Sequence, residues 1–482
     1  MPHVDTPQAR CRFGLARRDI TPPVGIYHLL WGAARHDQAT GVHRPLTATA
    51  LVFQAPEGAI TADTEQVVVA MDLCLLWWRE MQTLLEKVSN QTGLARDQLM
   101  CVFSHTHASG LPGLERLGLP GGNLIPAYLD LLATRVAEAV TEARAAVRPV
   151  ALVFGRGTCP LAAHRDFWDE ASKQFVCGFN PDGKVDETVL VTRVVGADNR
   201  TVATLVNYAC HPTTLAWENT LISPDFPGAM VEVVEKATGA PCVFLQGASG
   251  EVGPRDGFVG DTAVADRNGR QLGYAALSAL EGLPPPGTRF QYTGPVISGA
   301  TLGTWANVPV DAATRDRYAR WRLRRWTVPL AYRPELPTRE QPQAELARWQ
   351  AEEETARQAG NEGQVRDCRA MAERMRRRLN VLDVLPGGPT FPLPVWLWRT
   401  GDAFWLAVEA EHYNLLQRAL RERFPRTPLV VMTLANGSRA AYLPTADAYG
   451  KGIYQESIAV LAAGSLEHLI EVIGQELHAW QD

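Results

Sequence analysis

The sequence predicts an α/β protein, a mixed β-sheet flanked by helices, with a helical hairpin inserted late in the chain. Three observations carry this. Short apolar runs of β-type composition recur at Leu46–Gln54, Val67–Cys74, Met100–Ser104, Ala151–Gly155, Val189–Val195, Val202–Ala209 and Cys242–Gln246. Helical patterns lie between several of them, the alternation expected of a largely buried sheet with helices on it. And 46% of the 482 residues are hydrophobic, enough for a large core.

Among the intervening helices, Arg79–Thr92 has apolar residues at helical spacing, and Ala127–Ala146 is rich in Ala, Leu and Val with its charges on one side. Pro224–Thr238 and Ala265–Leu283 read the same way. From about 286 to 310 the chain is again β-like. Residues 311–382 then change character and become rich in Arg, Glu, Gln and Ala. Cys368, Ala372, Met375, Leu379 and Leu382 keep a 4-3-4-3 spacing, that of a helix packed along a narrow seam. Gly360-Asn361-Glu362-Gly363 supplies a turn between two such helices. The organisation expected is a main domain of residues 12–310 and 388–482, with 311–387 an inserted helical hairpin. Its basic runs, Arg320–Trp326 and Arg374–Arg378, are read as solvated helix faces, with a place over the active site or at a contact between subunits of a homo-oligomer as the second reading. After Pro386-Gly387-Gly388-Pro389, the segments Trp396–Arg399, Ala403–Val408 and Leu429–Leu434 look like strands, and Asn414–Phe424 and Gly464–Trp480 like helices.

Composition excludes several roles. A net charge of −5 gives no support to nucleic-acid binding. Met1–Arg12 lacks the apolar core of a secretory signal, and no apolar run approaches the roughly 18 residues of a membrane span. The cysteines at 11, 74, 101, 159, 177, 210, 242 and 368 are scattered and form no C-x-x-C pair, so buried free thiols and a cytoplasmic setting are expected.

Five places carry chemistry. Ser104-His105-Thr106-His107 follows a buried-looking strand, and in extended backbone its two imidazoles face the same way, so both rings converge on one centre or form a hydrogen-bonded loop pair. His211 closes another strand-like run before Pro212, and zinc sites draw ligands from the ends of adjacent strands. Gly247-Ala248-Ser249-Gly250-Glu251-Val252-Gly253-Pro254 is a glycine-rich turn that lets backbone approach a ligand. Its Ser249 resembles a G-x-S-x-G elbow only in part, because position 251 is Glu. Glu409 and Glu411 offer the anionic oxygen of a His/His/Glu site. Tyr442, Tyr449 and Tyr454 crowd the segment after Asn436-Gly437, either as packing groups with a hydrogen-bonding tip or as part of a site.

The order of these motifs resembles the catalytic domain of the neutral/alkaline non-lysosomal ceramidase family. Gly14-Leu15-Ala16-Arg17-Arg18-Asp19-Ile20-Thr21-Pro22 is similar to that family's G-x-x-x-x-D-I-T-P opening. Gly41–Leu46, the strand ending in Asp72, His-Thr-His, His164-Arg165 with Gly178–Gly183, His211, the glycine-rich turn, Glu411 and Asn436…Tyr442…Tyr454 follow in the family's order. The resemblance covers roughly residues 12–310 and 390–460. It implies a zinc amidase holding Zn²⁺ with His105, His211, Glu411 and Tyr442. It further implies His107 as helper base, Arg165 and Tyr454 at the substrate or its developing charge, and Asp72, Gly250 and Gly253 as substrate-binding positions.

Two departures bear on the substrate. The family's G-D-V-S-P is Gly250-Glu251-Val252-Gly253-Pro254 here, so its serine is Gly253; Ser249, four residues earlier, is not the equivalent. The stretch after the catalytic segment is read as leaving no room for the C-terminal immunoglobulin-like domain that the resemblance implies, and the chain carries the helical hairpin instead. The reading is therefore a zinc-dependent hydrolase of an N-acyl amide, or an ester, in a small or lipid-like substrate. The alternatives are a metal-independent serine hydrolase using Ser249 and a non-catalytic binding protein stabilised by its metal.

Overall fold

Alternate residues of the apolar strands face two different cores. Val67, Val69, Leu99, Cys101 and Phe103 pack with the helices Trp78–Thr92 and Ile125–Ala145, whereas Val68, Ala70, Met100 and Val102 pack with Trp396, Trp398 and Trp405. The computed structural model, which describes residues 1–481, thus contains a four-layer sandwich: helices, a large sheet, a second sheet, helices. Strands covered on both faces need no polar alternation, which is why the runs read as continuously apolar.

The large sheet is mixed, as expected. Its spatial order is Cys242–Gln246, Thr201–Tyr208, Thr188–Gly196, Arg148–Thr158, Gln8–Asp19, Thr47–Gln54, Glu65–Met71 and Leu99–Phe103. Only the two outermost pairs are parallel. The sheet curls until its two edge strands touch. The second sheet runs Trp321–Ala331, Thr390–Thr400, Ala403–Val408, Leu429–Met432, with a parallel final pair. Its outer face is covered by the helices Leu415–Arg423 and Ser465–Ala479 through Leu416, Leu420, Leu469, Ile473 and Leu477. Between the sheets, Trp398 and Trp405 stack with centroids 5.6 Å apart, and Phe53 lies 5.0 Å from Trp405. Truncating such a buried aromatic costs about 3–5 kcal/mol, so the aromatic layer is a main tie between the sheets.

The segment 311–387 departs from a simple hairpin. It opens with a short helix, Ala312–Tyr318, and then Trp321–Ala331 forms a strand paired along its length with Thr390–Thr400. Arg320–Trp326 is therefore corrected from a helix face to an edge strand, whose alternation of Arg with Trp and Leu is the period-2 signal. The hairpin proper is Glu340–Gln358 and Glu362–Leu382, turned at Gly360 with φ +70°. Its second helix lies on the main domain. Arg116, fully buried, makes two 2.6 Å bonds to Glu373, and Arg369 pairs with Asp37. Gly32 is required beneath it, because a Cβ there would stand 2.6 Å from Ala370 Cα.

All eight cysteines are free, seven of them buried. Among the described residues no helix is long and apolar enough to cross a membrane.

Candidate metal centre

Three strand ends, two from the large sheet and one from the second, deliver His105, His211 and Glu411 to one point. Glu411 Oε2 lies 3.2 Å from His105 Nε2 and 3.0 Å from His211 Nε2. All three residues are buried. The other ring nitrogens fix the tautomers: His105 Nδ1 is 2.7 Å from the carbonyl of Cys74, and His211 Nδ1 is 2.6 Å from that of Ser249. A carbonyl only accepts, so each Nδ1 carries the proton and each neutral ring turns an Nε2 lone pair toward the carboxylate. Three acceptors facing one another in a buried site repel unless a cation stands among them. His105 Nε2 has no other partner. This donor set fits a divalent ion of the zinc type, with main-chain carbonyls orienting the rings from behind.

The electrostatics call for positive charge at the same point, which a proton on His105 or a bound cation supplies. Burial pulls His105 down, but the Cys74 sulfur and the Glu411 carboxylate outweigh it and hold the ring well above its ordinary value. Burial pushes Glu411 up, but His105 and His211 hold it well below the usual carboxylate range. His211 falls to about 4 through burial and the nearby Arg165. A second overlapping group, Cys74, His105 and His107, also clusters. Its sulfur approaches the His105 nitrogen already given to Cys74 O, at 3.6 Å.

The backbone at this centre is strained. His105 has φ +68°, Ala410 just before Glu411 has +82°, and Ala441 just before Tyr442 has +52°. Side-chain-bearing residues adopt this region at a cost of about 1–2 kcal/mol each and cluster in it at functional sites. The convergence of His105 and His107 therefore has a different cause from the one expected. The strand stops at Phe103, and the left-handed turn at His105, not an extended register, sets the two rings at 5.0 Å and nearly perpendicular.

The other residues singled out fall into three groups. Tyr442 is the register partner of Glu411 in a two-residue parallel bridge, and its hydroxyl takes a 3.3 Å bond from Arg165. His107 stands 5.8 Å from His211 by centroid, with neither ring nitrogen hydrogen-bonded, and burial and the neighbouring imidazoles push it well below its ordinary value. Tyr454, 6.0 Å from Tyr442, lines both cavities beside the centre. Gly250 supports the site indirectly: its carbonyl takes a 2.6 Å bond from Arg165, and a Cβ on it would strike the His412 carbonyl at 2.9 Å.

Asp72 and Gly253 are not brought to the centre. The Asp72 carboxylate accepts from Thr47 N and Oγ1 and lines a separate cavity beside Arg17. Gly253 pairs with Ala163 in a short strand, and neither of the cavities flanking the metal centre is lined by it. Of the two glutamates, Glu409 is taken by Arg439 at 2.6 Å, leaving Glu411 for the histidines. Ser249 Oγ accepts from Gln246 Nε2 at 2.6 Å, and among the described residues no histidine bonds that hydroxyl.

Sequence reasoning missed Trp31, whose ring lies 5.0 Å from His107, and Arg377, which bonds Glu373 at 2.9 Å and the carbonyl of Leu30. Arg377 had a signal: Ala370, Glu373 and Arg377 recur at helical spacing on a face distinct from the apolar seam.

Residues 12–244 match the model of the neutral/alkaline non-lysosomal ceramidase family, N-terminal region. The chain resembles that family over just under half of its length. It is similar to neutral ceramidase A of Dictyostelium discoideum, 25% identical over 292 residues, and to neutral ceramidase B of the same organism, 23% over 290. Those matches take in 54% of this chain but only 39% and 38% of the relatives, so the chain spans about two fifths of the length of the curated relatives it matches. In fold it is similar to the neutral ceramidase of Pseudomonas aeruginosa, with a TM-score of 0.62, 17% identity, and 98% of this chain and 74% of that one covered. A ceramidase complexed with C2 gives 0.64 at 16% identity, with 98% and 76% covered.

Proposed function

We propose that this protein is a zinc-dependent hydrolase of the neutral ceramidase type that cleaves a linear N-acyl amide. The observation that carries the reading is the set of three buried acceptors, His105 Nε2, His211 Nε2 and Glu411 Oε2, with both imidazole tautomers fixed by main-chain carbonyls. Ceramide, the substrate named for the relatives, is an N-acyl amide. Gly253 in place of the family's serine keeps the reading at the amide class and short of ceramide itself.

His105, His211 and Glu411 would hold the ion, with the Tyr442 hydroxyl beside them. When bound, a zinc-type ion polarises a carbonyl and acidifies a water at neutral pH. The chain's own groups supply the rest. His107 has two ring nitrogens free of protein partners next to the centre and takes up the proton released on attack. Arg165 is fixed on Gly250 O and Tyr442 Oη with its Nε unpartnered, and steadies the negative charge that develops on the carbonyl oxygen. Tyr454, partly exposed at the junction of the two cavities, contacts the substrate. The free thiols support a reducing compartment, in keeping with a cytoplasmic enzyme.

The test is metal analysis of the purified protein coupled to hydrolysis of N-acyl substrates of graded chain length. Stoichiometric zinc, activity lost on chelation and restored by zinc, and loss of both in His105→Ala are expected. Activity that survives exhaustive chelation and disappears in Ser249→Ala would establish the serine reading instead.

A further inference from the structure

Two adjoining cavities meet beside the metal centre, and the larger carries more positive charge. The smaller, 70 Å³, reaches His105 and Glu411 and is bounded mainly by Leu75, Trp77, Leu111, Val381 and Ile458, with Arg377 shared with its neighbour. The larger, 350 Å³, begins at His107 and Tyr454 and runs beneath the hairpin helix Glu362–Leu382. Leu30, Trp31 and Phe258 line it together with Arg374, Arg377 and Arg378 of the hairpin helix, and with Arg165. A single carboxylate, Glu373, lines it.

That carboxylate is already committed. Glu373 accepts two bonds from Arg116 and one from Arg377. Arg374 and Arg378 are left without an anionic partner: among the described residues neither has a carboxylate within 4.0 Å, and neither makes a side-chain hydrogen bond. Both are partly buried, one helical turn apart on the same face. Burial and the neighbouring Arg374 and Arg333 hold the Arg378 guanidinium below its ordinary value despite the more distant Glu345 carboxylate, and a bound anion would raise it. Arginine pairs at this spacing suit planar or tetrahedral oxyanions, which they bind through several parallel N–H bonds. A neutral lipid headgroup would leave both cations desolvated and unpaired.

We propose that the larger cavity selects N-acyl substrates whose amine half carries an anionic group, a carboxylate or a phosphate, held by Arg374 and Arg378. The inference rests on the amide-hydrolase reading for its chemistry but not for its binding test. The amide carbonyl lies at the centre, the acyl start in the small apolar cavity, and the anion under the hairpin. The hairpin is then a specificity wall of the site, the second of the two roles its sequence allowed.

Two matched pairs with one acyl chain test this on the zinc-loaded full-length protein: N-acyl-β-alanine against its carboxamide, and N-acyl-O-phosphoethanolamine against N-acylethanolamine. The readouts are kcat/KM and equilibrium binding by tryptophan fluorescence, Trp31 being in the cavity wall. The anionic member of at least one pair is expected to win by about tenfold or more, through KM, the size of a hydrogen-bonded charge interaction. The pair that shows it identifies carboxylate or phosphate as the source. Arg374→Gln/Arg378→Gln should collapse the anionic-to-neutral ratio toward one, and each single variant should lose part of it. A wild-type ratio near one in both pairs, or a ratio unchanged in the double variant, overturns the proposal. Should no pair be hydrolysed, the amidase reading fails while the binding ratio still decides this one.

Discussion

The buried ion cluster that docks the hairpin gives the sharpest quantitative expectation. Replacing Glu373 by Gln leaves Arg116, fully buried, and Arg377 without their shared carboxylate. Removing one partner of a buried pair costs about 3–5 kcal/mol because the other charge stays desolvated. The titration gives a similar figure. Burial alone would raise the Glu373 carboxyl, but Arg377 and Arg116 hold it down to about 2 against an ordinary 4.5, a gap worth about 3 kcal/mol. Its folded value is depressed, so this contribution is complete above the unfolded value of 4.5 and is lost as pH falls from there toward 2. At neutral pH, Glu373→Gln should therefore raise the opening equilibrium of the hairpin about a hundredfold. Hydrogen exchange on the full chain reads this directly, as a loss of protection across Glu362–Leu382 with the large sheet unchanged. The double variant Arg116→Met/Glu373→Met should recover part of the loss. Recovery stays incomplete because Arg377 keeps only the carbonyl of Leu30. Protection in Glu373→Gln equal to the wild type would refute the account of how the hairpin is held.

Further expectations are independent of that one. His105→Ala and Glu411→Gln should lower zinc content and activity together, by more than the roughly 10–100-fold typical of groups that only support a ligand; full zinc occupancy with a full rate would remove both from the centre. Ser249→Ala should keep its rate within about threefold, since Gln246 Nε2 retains the Cys210 carbonyl, and an inactive but folded variant would favour the serine mechanism. Glu251 is pushed up to about 8 by burial, so the folded state keeps a proton that the unfolded chain loses near 4.5; stability should decline as pH rises from there through 8, and denaturation midpoints of Glu251→Gln should lack that slope. Gly32→Val should cost about 1–3 kcal/mol by forcing Ala370 outward, seen as a lower thermal midpoint.

How much of this was legible in the sequence follows from which interactions are local. The strand runs of the large sheet were visible because burial on both faces makes them continuously apolar, and the edges found differ from those read by a few residues. Gln8–Asp19 was not read as a strand because Arg10, Arg12, Arg17 and Arg18 break its apolarity; Arg17 is tied instead to Glu235 and the Cys242 carbonyl. The second sheet was seen as fragments, since nothing in Trp396–Arg399 says that its tryptophans face another sheet rather than a helix. His105, His211 and Glu411 were each suspect as strand-end residues, but their meeting depends on pairings hundreds of residues apart. The hairpin's polar face hid its role for the same reason: Arg374–Arg378 looks solvated until Gly32 and Arg116 are placed against it.

The spread of the centre along the chain also sets a timetable for its assembly. His105 and His211 are made first, whereas Glu411 and Tyr442 follow His211 by two hundred residues or more and pair with each other in a short sheet of their own. A nascent fragment that stops short of Glu411 holds the imidazoles but lacks the carboxylate that faces His105 and His211. On the proposed reading, the set His105, His211 and Glu411 is complete only in a chain whose two halves have closed on each other, and zinc held by all three would report that folding has finished.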